Sequence, residues 1–175
     1  ELTHEFIPMK SLNASAHSLA FSPDGKYLAT GGRYSNTRIF NLETGNEVRS
    51  WKHSGLVSSV AFSPDGKYLA TGDDRNYAKI FNLETGTEVR SWKHNRSVYS
   101  VAFSPDGKYL ATGDGYNSKI FNLETGNEVR SWKHNSSVNS VAFSPDGKYL
   151  ATGDSRNYAK IFNLEIGNEV RSWKQ

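Results

Sequence analysis

Cysteine is absent from this sequence, methionine occurs once and proline five times in 175 residues. Without cysteine there are no disulfides, no thiolate metal sites and no cysteine nucleophile, and the redox compartment stays undetermined. No apolar run approaches the ~18 residues of a membrane-spanning helix. Consecutive lysines or arginines do not occur and the net charge is only +3, so neither nucleic acid nor a membrane is expected as a partner. The opening ELTHEFIPMK has no initiator methionine and no signal-peptide pattern. It reads as a trimmed or excised start, with localisation open and the cytoplasm as default. Helical patterning is missing too, because Gly or Pro interrupts every stretch before an apolar stripe of ~10 residues can form.

Aromatics are plentiful: nine Phe, nine Tyr and four Trp, bulky material for a core. The charged fraction of 22% is mixed in sign, as in a globular chain rather than a disordered one. The string AFSPDGKYLATG begins at Ala20, Ala61, Ala102 and Ala142, at spacings of 41, 41 and 40 residues. His53–Trp92 and His134–Trp173 are identical at 33 of 40 positions, which points to recent duplication or to design. A period of this length fits a four-stranded propeller blade.

One repeat reads as four strands. VSSVAFS (Val57–Ser63) is small, β-branched and aromatic, and strict alternation puts Val57, Ser59 and Ala61 opposite Ser58, Val60 and Phe62. Ser63-Pro64-Asp65-Gly66-Lys67 is a hairpin turn, with Gly taking a positive φ. KYLATG, AKIFNL and an alternating, exposed outer strand TEVRSWK follow, the last two joined by Glu84-Thr85-Gly86. The third repeat is one residue shorter between Gly113 and Ile120, where a hairpin loop absorbs a deletion more easily than a strand. The expected class is all-β: four-stranded antiparallel blades at residues 11–51, 52–92, 93–132 and 133–175. Residues 1–10 form an N-terminal segment that is a further outer-strand candidate.

The run KHNSSVNSVAFSPDGKYLATGDSRNYAKIFNLEIGNEVRSW resembles a WD repeat, and the resemblance covers about 165 of the 175 residues. It implies a propeller of seven or eight blades acting as an interaction scaffold. The family's Gly-His is here Lys-His at His53, His94 and His134, with Leu12 in the first repeat. Its Trp-Asp pair is Phe-Asn, beginning at Phe40, Phe81, Phe121 and Phe162. Its hydroxyl position matches Thr71, Thr112 and Thr152, and its aspartate position reads Tyr34, Arg75, Gly115 and Arg156. Phe has no N–H to donate, so the family's His–hydroxyl–Asp–Trp network cannot be complete in any blade. Blade cohesion then rests on aromatic packing.

No enzyme, metal or cofactor is expected. His53, His94 and His134 recur once per repeat, too far apart to converge on one reacting atom, and read as structural, as do the four Phe residues. Asp24, Asp65, Asp106 and Asp146 serve turns. The loops before the first strand and between the second and third share one face by resemblance, and there the repeats differ most. The candidate binding residues are Tyr34, Arg75, Tyr77, Arg96, Tyr99, Tyr116, Arg156 and Tyr158, since Tyr and Arg dominate binding hot spots. The expected function is a non-enzymatic scaffold binding a protein or peptide. A purely architectural self-assembling propeller and a carbohydrate-binding one are the alternatives. Two chains closing an eight-bladed ring are expected as a homodimer. At that junction either the C-terminal strand or Leu2–Met9 completes the blade, with the C-terminal one preferred.

Overall fold

The computed structural model describes residues 15–175, among which there are sixteen strands and no helix. The first antiparallel sheet is β1 (Ala16–Phe21), β2 (Tyr27–Gly32), β3 (Asn36–Asn41) and β4 (Glu47–Lys52), in that order. The same meander recurs as β5 (Val57–Phe62), β6 (Tyr68–Asp73), β7 (Tyr77–Asn82) and β8 (Glu88–Lys93). It recurs again as β9 (Ser100–Phe103), β10 (Tyr109–Gly113), β11 (Asn117–Asn122) and β12 (Glu128–Lys133). The last is β13 (Val138–Phe143), β14 (Tyr149–Asp154), β15 (Tyr158–Asn163) and β16 (Glu169–Lys174). The expected all-β fold of four four-stranded blades is present. Leu2–Met9 and Leu12 lie outside the described residues.

The first hairpin of each blade is built by its turn chemistry. Ser63 Oγ donates to Asp65 Oδ1 at 2.6 Å, which also accepts the Lys67 N–H at 3.0 Å. Gly66 sits at φ 72°, where a β-carbon would strain the backbone. The other three copies repeat these bonds. The single-residue deletion in the third repeat falls in the β10–β11 hairpin. Ser35, Asn76 and Asn157 hold positive φ in the other three loops, and Asp114 N–H instead reaches Asn117 O at 2.8 Å.

Two strand-level expectations are corrected. Strict alternation along β5 fails because a bulge separates Val57, paired with Asp73, from Ser59, paired with Gly72. The extra residue, Ser58, resets the phase, so Val57 and Val60 are both buried. They close on Gly31 of the preceding blade, where a β-carbon would meet Val57 Cγ1 at 2.7 Å. The outer strand, read as exposed, is half committed to packing. Arg90 and Trp92 of β8 reach the third blade, with Arg90 Nε donating to Leu123 O at 3.1 Å and Trp92 Nε1 to Gly126 O at 2.8 Å.

The core therefore lies between blades. At the junction of blades two and three, Ala70, Ala78 and Ile80 from one sheet meet Val98, Val101 and Leu110 from the next. The clusters at the other two junctions are built from the same repeat positions. Each junction also sets a tryptophan on a phenylalanine: Trp51 on Phe81 at 4.8 Å, Trp92 on Phe121 and Trp132 on Phe162 at 4.6 Å. Replacing the family's Trp by Phe thus leaves an aromatic ring for the neighbouring blade's Trp to cover.

Candidate functional site

Beneath one face of the blades lie three buried histidines. Each sits in the connection between blades, with an edge-on contact to the Phe of the following sheet: His53 to Phe81, His94 to Phe121 and His134 to Phe162, all at 5.7 Å. Their hydrogen bonds differ. His53 Nε2 pairs with Thr37 Oγ1 at 3.0 Å, and His134 Nε2 with Ser118 Oγ at 2.9 Å, both hydroxyls belonging to the preceding blade. His94 instead faces Ala78 and leaves Nε2 unpartnered, but its Nδ1 lies 3.1 Å from Asp114 Oδ2.

The carboxylates that face these imidazoles are Asp73 and Asp114, both buried, and not the positions Tyr34, Arg75, Gly115 and Arg156 that the resemblance assigns to the family's aspartate. Burial opposes the charge on Asp114, but the bond from His94 and the N–H groups of Tyr116 and Asn117 outweigh it. The carboxyl is held below the usual carboxylate range. In blade two, His53 Nδ1 stands 3.8 Å from Asp73 Oδ2, beyond hydrogen-bond reach, and both atoms are unpartnered. The hydroxyls expected to serve the histidines, Thr71 and Thr112, are buried without partners. Among the described residues no blade assembles the whole network, as the missing Trp required, yet its His–Asp half forms in blade three.

Above these histidines the loops are woven into one rim. The connections between blades bond to the hairpins of β2–β3, β6–β7, β10–β11 and β14–β15. Asp74 N–H donates to Leu56 O at 2.9 Å, His94 N–H to Asn76 O at 2.7 Å and Ser155 N–H to Ser137 O at 2.9 Å. These bonds set the connections between blades beside the hairpins that join the second and third strands. Tyr34 is the most open of the candidate tyrosines, and Tyr99, Tyr116 and Tyr158 are exposed as well. Arg75, Arg96 and Arg156 are exposed.

Some of these side chains engage one another. Arg96 lies over the Tyr116 ring at 4.8 Å, and Lys93 over the half-buried Tyr77 ring at 4.4 Å. The lysines were missed by sequence reasoning. Lys52, Lys93, Lys133 and Lys174 end the four outer strands, paired with the first residues of the third strands, and so stand at this rim. Their signal was recurrence: every repeat has a Lys directly after its Trp. With Arg33, Arg75, Arg96 and Arg156 they give the rim eight exposed cations. Against them stand exposed Asp74 and half-buried Asp154. The turns at the opposite end carry Asp24, Asp65, Asp106 and Asp146 with Glu43, Glu84, Glu124 and Glu165, interleaved with the exposed Lys26, Lys67, Lys108 and Lys148. The rim is thus strongly cationic, whereas the opposite end is mixed in sign.

Among the described residues no group of three or more His, Cys, Asp or Glu could hold a metal ion. No curated protein matches the chain. The family model described as the IFT122 first beta-propeller matches residues 15–175, which spans all four blades. Repeat period, blade topology and this match agree, and the chain belongs to the IFT122 first beta-propeller family, a WD-repeat propeller of the scaffold type.

Proposed function

We propose that the loop rim is the binding face of an interaction scaffold and that it takes an acidic protein or peptide segment. The cationic excess of the rim carries this reading. Eight exposed cations share the rim with exposed tyrosines, on a frame whose backbone is fixed by hydrogen bonds between loops. A complementary potential speeds encounter and selects partners more than it adds affinity, while Tyr and Arg supply the anchoring contacts. The rim side chains stand outside the apolar clusters between blades.

An array of short peptides, graded from acidic to basic, tests this. Acidic, aromatic-containing peptides are expected to bind, more weakly as salt rises through 0.1 M, where screening reaches about 10 Å. The triple variant Arg75→Ala, Arg156→Ala, Tyr158→Ala should lose binding while its urea midpoint stays close to that of the parent, since exposed substitutions cost within about 0.5 kcal/mol each. Peptides that bind this variant as well as the parent, or a preference for basic peptides, would rule the rim out.

A further inference from the structure

The two end faces of the four-bladed unit are the two halves of the junction that occurs three times inside it. At each internal junction an Arg and a Trp of one outer strand bond to the next blade's last turn, as Arg49 does to Leu83 O at 3.3 Å and Trp51 Nε1 to Gly86 O at 2.9 Å. A serine of the inner strand accepts a backbone N–H from the next, as Ser18 Oγ does from Val60 at 3.1 Å. Blade four repeats one half with Arg171, Trp173 and Ser140, and blade one the other half with Leu42, Gly45 and Leu19.

Both halves are open. Leu19 is 62% exposed where Val60, Val101 and Val141 are 6%, and Trp173 is 52% exposed although its three counterparts are covered. Phe40, whose counterparts Phe81, Phe121 and Phe162 lie under a Trp, is half-buried. Blade one also has Gly32 where Asp73 and Asp114 stand, so docking there buries no carboxylate.

We propose that a second copy of this four-bladed unit seats its Trp173 face on the Leu19–Phe40 face of the first, and the reverse, closing a ring of eight blades. Continuity with the three internal junctions identifies the occupant: Arg171, Trp173 and Ser140 repeat one side of them, and Phe40, Leu42 and Gly45 repeat the other. The two faces are complementary rather than self-complementary, so association is head-to-tail, and a head-to-tail contact makes a ring when its rotation closes. Propellers of four-stranded blades close with about four to eight blades. Four do not close here, because the end faces are exposed, and three units would exceed the range. The rim plays no part, so this inference stands apart from the proposed binding function.

Light scattering at low micromolar concentration tests it on the 175-residue chain. One species of about 39 kDa, twice the chain's 19.5 kDa, is expected. Trp173→Ala should raise the dissociation constant of the pair by at least about thirty-fold, the lower range for an interface tryptophan. Leu19→Glu, at a position already exposed in the single chain, should give a folded 19.5 kDa species with an unchanged far-ultraviolet spectrum. A parent chain of 19.5 kDa, a ladder of growing masses, or a 39 kDa species that survives both substitutions would overturn the closure.

Discussion

Among individual residues, the imidazoles show how near-identical repeats come to differ. His53 and His134 each have a hydroxyl on Nε2, from Thr37 and Ser118, while His94 faces Ala78 and has its partner, Asp114, on Nδ1. One methyl in place of a hydroxymethyl leaves a buried ring nitrogen unpaired. Ala78→Ser, the residue that blade three carries at Ser118, supplies the missing group with almost no change of volume. It should stabilise the protein by about 1 kcal/mol, the ordinary net value of a hydrogen bond. A urea midpoint that falls instead would show that His94 Nε2 is already satisfied. The one-residue deletion in the third repeat accompanies this exchange, since the tighter loop holds Asp114 within reach of His94.

For the blade as an element, the bulge and the outer strand decide what is core. A lone four-stranded sheet has no interior; its apolar residues are buried only by the next sheet. Phe81 is 4% exposed because Trp51 covers it, whereas among the described residues no tryptophan covers Phe40. Phe81→Ala should cost roughly 3–5 kcal/mol, the usual range for a buried Phe. Phe40→Ala should cost clearly less when measured at a concentration where the chain is a single copy. Equal shifts of the two urea midpoints would mean that the end face is covered by the chain itself.

Taken whole, the molecule should respond to mild acid through the junction of blades three and four. Burial, and after it the charge of Lys160, hold the His134 imidazole below its usual value, against the opposing pull of Asp154, Glu169 and Asp114. In the unfolded chain the same group titrates near its ordinary value of about 6.5. Its folded-state value is depressed, so the contribution to stability is full above about 6.5 and is lost as pH falls through the folded value. Denaturation midpoints measured from pH 7.5 down to 5.5 should drop less for His134→Gln than for the parent. A parallel drop in both proteins would remove His134 as a source of the acid sensitivity.

Much of this was legible from the sequence because a repeat restates its own instructions four times. SPDGK fixes the first hairpin with bonds that span five residues, so Gly66 needed no neighbour to announce its positive φ. The spacing of AFSPDGKYLATG set the number of blades, and the loop residues could be placed on one rim by resemblance. Other features depend on residues about 16 to 42 positions apart. The partners of His53 and His94, Thr37 and Asp114, come from different blades. The bulge at Ser58 is invisible to a rule of strict alternation, and TEVRSWK reads as a solvent strand until another blade stands beside Trp92. What the sequence determined alone was local: turns, strands, their order and their period, since each is encoded within one repeat. What only the tertiary structure decided was how one repeat meets the next, because packing sheet on sheet chooses the pairs of buried groups. That packing also gathers eight cations on a single rim and leaves Leu19 and Trp173 uncovered at the two ends.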